Sequence, residues 1–475
     1  MVRLLLVGFC AVASALGGCS VRGGPASSAI AQLEAPYPYY TPTPIPGIGD
    51  LTITIGPSKI QHVIIVVQEN RSFDYIFGGL DQNGNPFPGA DTVSNPWSGE
   101  PTPHDHKGNP VQMQQGLLEE CYVPNHGHPQ AVNEENGGKM NGFDKATVQT
   151  LGCAPGKAPH DYVYRYVAES EVVPYWEMGE QYAVSDRMFQ SIASASFASH
   201  LFFVAAQSDN AIDNPNKSPW GCDAPKNTKM NIYNQRTGGE IPGPPPCLDI
   251  PTLAGSLDAA GIPWRYYGGP KSDFGYSWET YDAIRAIREG PDWTADVIQS
   301  PAQFVTDVQN GTLSAVTWIT PLLATSDHPL STSNMGPDWV ASLVDAVGTS
   351  PFWGSTAIFI TWDDWGGWYD HVPPPKVNAV GFGLRVPFIV VSPYAQPAYV
   401  SHVQHSFGSI LHFTEEIFGL PSLGMEDATD DDLDDMFDYL QTPTPFTTFA
   451  RTHSDEAIRR AATQSRMAPM PDEDE

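Results

Sequence analysis

Two short segments of this 475-residue chain set paired oxygen ligands directly behind apolar runs. The first is Gln68-Glu69-Asn70-Arg71-Ser72-Phe73-Asp74, which follows His62-Val63-Ile64-Ile65-Val66-Val67. The second is Trp362-Asp363-Asp364-Trp365-Gly366-Gly367-Trp368-Tyr369-Asp370-His371-Val372-Pro373-Pro374, which follows Ala357-Ile358-Phe359-Ile360-Thr361. Adjacent carboxylates repel one another unless a cation or a proton separates them. Glu69, Asn70, Asp363 and Asp364 together would present three carboxylates and an amide, a donor set for one hard divalent cation.

A third segment, Ser194-Ala195-Ser196-Phe197-Ala198-Ser199-His200-Leu201, leads small residues into an apolar helix. A helix N-terminus offers free N–H groups and a positive dipole end to an anion such as phosphate. A serine there, near a divalent cation, is a candidate nucleophile. Ser194, Ser196 and Ser199 compete for that role, and each could instead simply cap the helix. Two histidines in polar loops, His126 in Pro124-Asn125-His126-Gly127-His128 and His328 in Ser326-Asp327-His328-Pro329, could bond a phosphoryl oxygen or protonate a leaving group.

These side chains need a rigid frame. The spacing predicts strands over His62–Val67, Ile262–Tyr267, Ala315–Ile319, Ala357–Trp362 and Val386–Val391, whose unbroken apolar character suits strands covered on both faces. Helices are predicted over Phe197–Gln207, Thr252–Ala260, Trp339–Val347 and Ser406–Phe418. Alternating strands and helices argue an α/β sandwich, in which strand ends carry ligands and catalytic groups. Gly-, Pro- and Asn-rich stretches at 81–160 and 209–250 read as long loops that shape a substrate site. The acidic stretch Glu426–Asp435 lacks the glycine and final glutamate of an EF-hand loop and reads as a solvated surface turn.

Residues 1–18 have the pattern of an export signal, and Leu16-Gly17-Gly18-Cys19 is similar to a bacterial lipobox that would make Cys19 a lipidated N-terminus; a plain secretory signal is the alternative. Residues 19–57 read as a Pro-rich linker, 58–450 as the folded body and 451–475 as a partly disordered tail. The product would be exported, either as a cell-envelope lipoprotein or secreted. Four further cysteines, Cys121, Cys153, Cys222 and Cys247, suit disulfides in an exported chain, and proximity favours Cys121–Cys153 and Cys222–Cys247. A formal charge of −30 speaks against nucleic acid and anionic lipid as extended partners. Membrane contact is expected through the lipid at Cys19 only.

The segments Glu69-Asn70-Arg71-Ser72-Phe73-Asp74, Gly138-Lys139-Met140-Asn141-Gly142-Phe143, Asp327-His328-Pro329, Trp362 to Pro374 and Phe407-Gly408-Ser409-Ile410-Leu411 occur in that order. Together they resemble the bacterial phosphoesterase family of acid phosphatases and phospholipases C, over roughly residues 58–445. The resemblance implies a three-layer α/β/α fold like that of alkaline phosphatase, with a largely parallel central sheet. It also implies one divalent metal ion at Glu69, Asn70, Asp363 and Asp364, zinc and iron being admitted beside the harder ions. The family nucleophile falls on Ser196, and site histidines fall on His126 and His328. Phospholipase C members carry Thr followed by Pro-Asn-Arg, where this chain has Ser196 and then Ala198-Ser199-His200, so the departure tilts toward the serine-using phosphatase branch. The expected activity is metal-dependent hydrolysis of a phosphate-ester small molecule through a phosphoseryl intermediate. The alternatives are a phospholipase C acting on phospholipid head groups, or a non-catalytic surface lipoprotein that binds a ligand.

Overall fold

The computed structural model describes residues 59–97, 99–376 and 380–464. The expected signal, lipidated Cys19 and linker lie outside the described residues. An eight-stranded sheet organises the rest. Its strands along the chain are β1 (His62–Gln68), β2 (Ala183–Ser185), β3 (Trp264–Tyr267), β4 (Val297–Ile298), β5 (Val316–Ile319), β6 (Thr356–Trp362), β7 (Phe388–Val391) and β8 (Tyr399–Ser401). They lie in the order β4-β3-β5-β1-β6-β7-β2-β8. All neighbours pair parallel except β6 with β7 and β7 with β2. The run Val386–Val391 therefore forms a strand as expected but runs against its neighbours. It is buried on both faces all the same, so composition alone does not reveal its direction.

The helices that matter here are α1 (Phe73–Phe77), α2 (His128–Glu135), α3 (Val173–Gln181), α4 (Ser196–Ala205), α5 (Leu253–Ala260), α6 (Gln303–Gln309), α7 (Gly336–Gly348), α8 (Phe407–Phe418) and α9 (Asp455–Gln464). Side chains alternate between the faces of a strand. Phe359 of β6 meets Phe413 of α8, whereas Trp362, of opposite parity, meets Tyr175 of α3. Trp318 of β5 shares the face of Phe359 through the register Trp318–Ile65–Phe359, and its indole donates to Phe203 O of α4. Helices α4, α5 and α8 thus cover one face and α3, α6, α7 and α9 the other. This is the expected three-layer sandwich, and α9 carries it past residue 450.

The two long insertions are built rather than loose. Residues 81–160 hold α2 and a short antiparallel pair, Tyr122–Pro124 with Val148–Thr150, closed by the disulfide Cys121–Cys153. Residues 209–250 hold a three-stranded antiparallel sheet and the disulfide Cys222–Cys247. The acidic stretch departs from expectation. Asp427 and Leu433 are fully buried, and Glu426 accepts from Ser406 Oγ at 3.0 Å, so the stretch packs onto the body rather than standing in solvent.

Candidate active site

β1 and β6 are neighbouring parallel strands in register, with Gln68 level with Trp362. The residues that follow each strand must therefore emerge side by side at the carboxyl edge of the sheet, where open α/β folds gather their ligands. Glu69, Asn70, Asp363 and Asp364 meet there, all fully buried. Asn70 N donates to Asp363 Oδ1 at 2.9 Å. Its side-chain Nδ2 donates to Asp364 Oδ1 and Oδ2, at 3.0 and 3.2 Å, and lies 2.9 Å from His126 Nε2. Asn70 is held in left-handed backbone, φ 61°, which asparagine tolerates better than most residues. Its carbonyl accepts from Arg71, whose guanidinium lies over Tyr75 and Trp368. A Cβ at Gly366 would stand 2.1 Å from that carbonyl oxygen, so glycine there is a condition for the approach of the two loops.

The three serines separate by their contacts. Ser194 Oγ donates to Ile212 O. Ser199 Oγ accepts from Gln190 Nε2 at 3.2 Å. Only Ser196 turns to the carboxylates, its Oγ 3.2 Å from Asp364 Oδ2. None of them is the cap residue, because Ala195 holds that position without a side-chain bond. The capping acceptor comes from across the chain, where Asn214 Oδ1 takes Phe197 N–H at 2.9 Å.

Both expected histidines are present and buried. His126 Nδ1 lies 2.9 Å from Pro124 O, a bond that needs the ring hydrogen on Nδ1. Its Nε2 is then the acceptor for Asn70 Nδ2, so the ring orients that amide. His328 Nδ1 accepts from Leu330 N at 3.0 Å, which leaves Nε2 as its donor. The two rings stand 6.1 Å apart, and His328 packs against Trp278.

Sequence reasoning did not single out His200. It lies one helical turn after Ser196 and places Nε2 3.0 Å from Glu69 Oε1 and 3.6 Å from Asp363 Oδ2. Ligand atoms of Glu69, His200 and Asp363 all lie within 4.8 Å of one another. The signal was the i, i+4 spacing of Ser196 and His200 on one helix face. Asn214 carried no such signal.

Burial pushes both aspartates up, but they part company. At Asp363 the close approach and charge of His200, 3.6 Å from Oδ2, outweigh burial and hold the carboxyl below its usual range. Asp364 is driven well above it by burial and then by the charge of Asp363. Asn70 Oδ1 and Asp363 Oδ2 are buried with no hydrogen-bond donor. Two donor-free oxygens among three carboxylates are what a cation-holding cage requires. The residues present therefore fit a divalent ion held by Glu69, Asn70, Asp363 and Asp364, with His200 beside them.

A model of the phosphoesterase family matches residues 60–421. "Phospholipase C B" of Mycobacterium tuberculosis is 23% identical over 452 residues, covering 82% of this chain and 79% of its own. "Non-specific phospholipase C3" of Arabidopsis thaliana is 26% identical over 411 residues, covering 77% and 71%. A solved protein of the alkaline phosphatase superfamily from Vibrio parahaemolyticus aligns over 79% of this chain and 72% of its own, at 8% identity with a TM-score of 0.36.

Proposed function

The chain belongs to the phosphoesterase family and is a phosphoric ester hydrolase, and from that premise we propose that it cleaves phosphate monoesters through Ser196. The observation that carries the reading is the hydrogen bond from Ser196 Oγ to Asp364 in a cage of buried oxygens at the mouth of a helix. Ser196 Oγ attacks phosphorus in line with the ester oxygen; the O–P bond forms as the ester P–O bond breaks, giving a phosphoserine and an alcohol. Asp364 Oδ2 is the acceptor that the serine proton already faces. The positive end of the α4 dipole faces the phosphoryl oxygens, the Phe197 N–H itself being taken by Asn214. His328 donates a hydrogen bond from Nε2 to a phosphoryl oxygen, and the departing alkoxide takes its proton from solvent water. His126 positions Asn70 rather than touching substrate. A divalent ion bound to Glu69, Asn70, Asp363 and Asp364 supplies positive charge to the phosphoryl group and to the three carboxylates. Water then hydrolyses the phosphoserine.

Ser196→Ala should abolish turnover of a chromogenic phosphate monoester and leave metal content and melting temperature nearly unchanged. Full activity in that variant would sink the assignment. A second reading, phospholipase C, is favoured by the names of the curated relatives. Comparing a monoester, a choline phosphodiester and phosphatidylcholine on the same preparation separates the two, since only the phospholipase reading requires diester cleavage.

Export fits this reading, because the two disulfides call for an oxidising compartment. Among the described residues no helix is long and apolar enough to cross a membrane. Membrane contact through a lipid on Cys19 is part of the same proposal.

A further inference from the structure

The acidic segment Glu426–Asp435 takes no part in the reaction site. Seven of its ten residues are Asp or Glu. Among the described ion pairs no Lys or Arg reaches any of them, and the partner that does is His405. Carboxylates gathered against a folded body need counter-charge, and a single imidazole is little.

The geometry around that imidazole is specific. The His405 side chain is 0% exposed. Its Nε2 lies 3.0 Å from Ser401 Oγ, and the Ser401 hydroxyl donates to Asp435 Oδ2. With its hydrogen given to Asp435, Ser401 Oγ can only accept from the ring, so Nε2 carries the imidazole hydrogen. Nδ1 is then a lone pair in the neutral ring and an N–H in the imidazolium. It faces Asp431 Oδ1 at 3.0 Å, yet the approach has no hydrogen-bond geometry. Asp435 Oδ1, 3.6 Å from Nε2 on the other side of the ring, is likewise buried without a hydrogen-bond donor. In the neutral ring Nδ1 and Asp431 Oδ1 are two acceptor atoms held 3.0 Å apart, which repel unless a cation lies between them.

We propose that His405, Asp431 and Asp435 form a second cation site, distinct from the reaction site, that takes a divalent transition-metal ion such as zinc. One ligand atom from each lies within 4.8 Å of the others. Metal–ligand bonds of about 2.0–2.2 Å set neighbouring ligands about 3.0–3.5 Å apart, and His405 Nδ1 stands 3.0 Å from Asp431 Oδ1. The imidazole selects a transition metal over calcium or magnesium, and the two carboxylates balance its charge. Ser401 orients the ring and one carboxylate from the outer shell, with Tyr399 OH also donating to Asp435 Oδ2 at 3.2 Å. His405 lies between β8 and the Ser406 cap of α8, while Asp431 and Asp435 belong to the acidic segment. An ion here fastens that segment to the sheet edge and to the start of α8.

The test uses the full chain with both reaction-site aspartates neutralised, Asp363→Asn with Asp364→Asn, so that uptake there does not obscure the count. Equilibrium dialysis against zinc, with elemental analysis, should find one bound equivalent in this background. Adding Asp431→Asn and Asp435→Asn should remove it, weakening zinc binding by at least about tenfold and abolishing the zinc-dependent rise in melting temperature. Asp431→Asn alone, which leaves the Ser401 and Tyr399 bonds to Asp435 intact, serves as the milder variant. In the otherwise unchanged chain Asp431→Asn should leave monoester hydrolysis unaltered. No zinc uptake in the background, or equal uptake with and without Asp431, overturns the proposal and leaves an imidazolium bridging two carboxylates. Loss of activity in Ser196→Ala bears only on the reaction site, so the two readings fail separately.

Discussion

Asn70 concentrates three demands on one side chain. Its backbone is left-handed, its Nδ2 ties Asp364 to His126, and its Oδ1 is a buried oxygen with no donor. Replacing it with Gly or Ala removes the amide in both cases, but the left-handed conformation costs a residue with a Cβ about 1–2 kcal/mol and glycine almost nothing. Asn70→Gly and Asn70→Ala should therefore lose activity alike, by about 100-fold or more on the scale of removing one preorganised group. Asn70→Ala should also melt lower than Asn70→Gly in chelator. Equal melting temperatures would mean that the strain is relieved elsewhere. At this scale the sequence was legible wherever chemistry alone marks a residue, as for Glu69, Asn70, Asp363 and Asp364 at strand ends. It was not legible for Ser196 against Ser194 and Ser199. All three are hydroxyls in one short run, and only the position of Asp364, on another strand, distinguishes them. His200 escaped for the same reason, since its partners Glu69 and Asp363 come from strands β1 and β6.

Helix α4 shows how an element inherits its function from its neighbours. Its N-terminus has no cap of its own, and Asn214, one residue beyond the strand Ala211–Asp213, supplies the acceptor for Phe197 N–H. Losing a cap costs about 0.5–2 kcal/mol. Asn214→Ala should accordingly lower stability by that much, as read from denaturant midpoints. Asn214→Asp, which keeps an oxygen acceptor at a helix N-terminus, should retain most of it. A loss as large for Asp as for Ala would refute the capping role. The long strands β1 and β6 could be read from their apolar runs because they are covered on both faces. The three-residue strands Ala183–Ser185 and Tyr399–Ser401 could not, since three residues establish no period and their pairing depends on β7 between β6 and β2. Asn214 lies in an insertion that reads as loop. Its purpose exists only once the insertion folds back on α4.

Across the whole molecule the formal charge of −30 meets a set of acids whose burial holds their protons. Burial raises Asp327 to about 6, against the charge of Arg71 and the hydrogen bonds of Tyr175 and Trp362. Burial and then the charge of Asp223 raise Asp282 to about 7, and burial and then Asp427 raise Glu415 to about 8. Burial works the other way on His371, but the charge and hydrogen bonds of Asp74 and Asp91 prevail and lift it to about 9. Each of these groups binds its proton more tightly folded than unfolded. The stability they contribute is complete below their unfolded values, about 4 for the carboxyls and about 6.5 for the histidine. It is lost as pH rises through 6, 7, 8 and 9 in turn. Asp91 runs opposite. His371 and Arg187 hold it low despite burial, so its contribution disappears as pH falls below about 4. Melting temperature in chelator should therefore peak in the mildly acidic range, at about pH 4–6, and decline steadily to pH 9. Self-repulsion of the acidic surface acts in the same direction, but about 1 M salt shortens the screening length to about 3 Å and removes it. The decline that survives in high salt belongs to the buried acids. A flat profile at high salt would assign all of it to the surface and contradict the proton-holding interior.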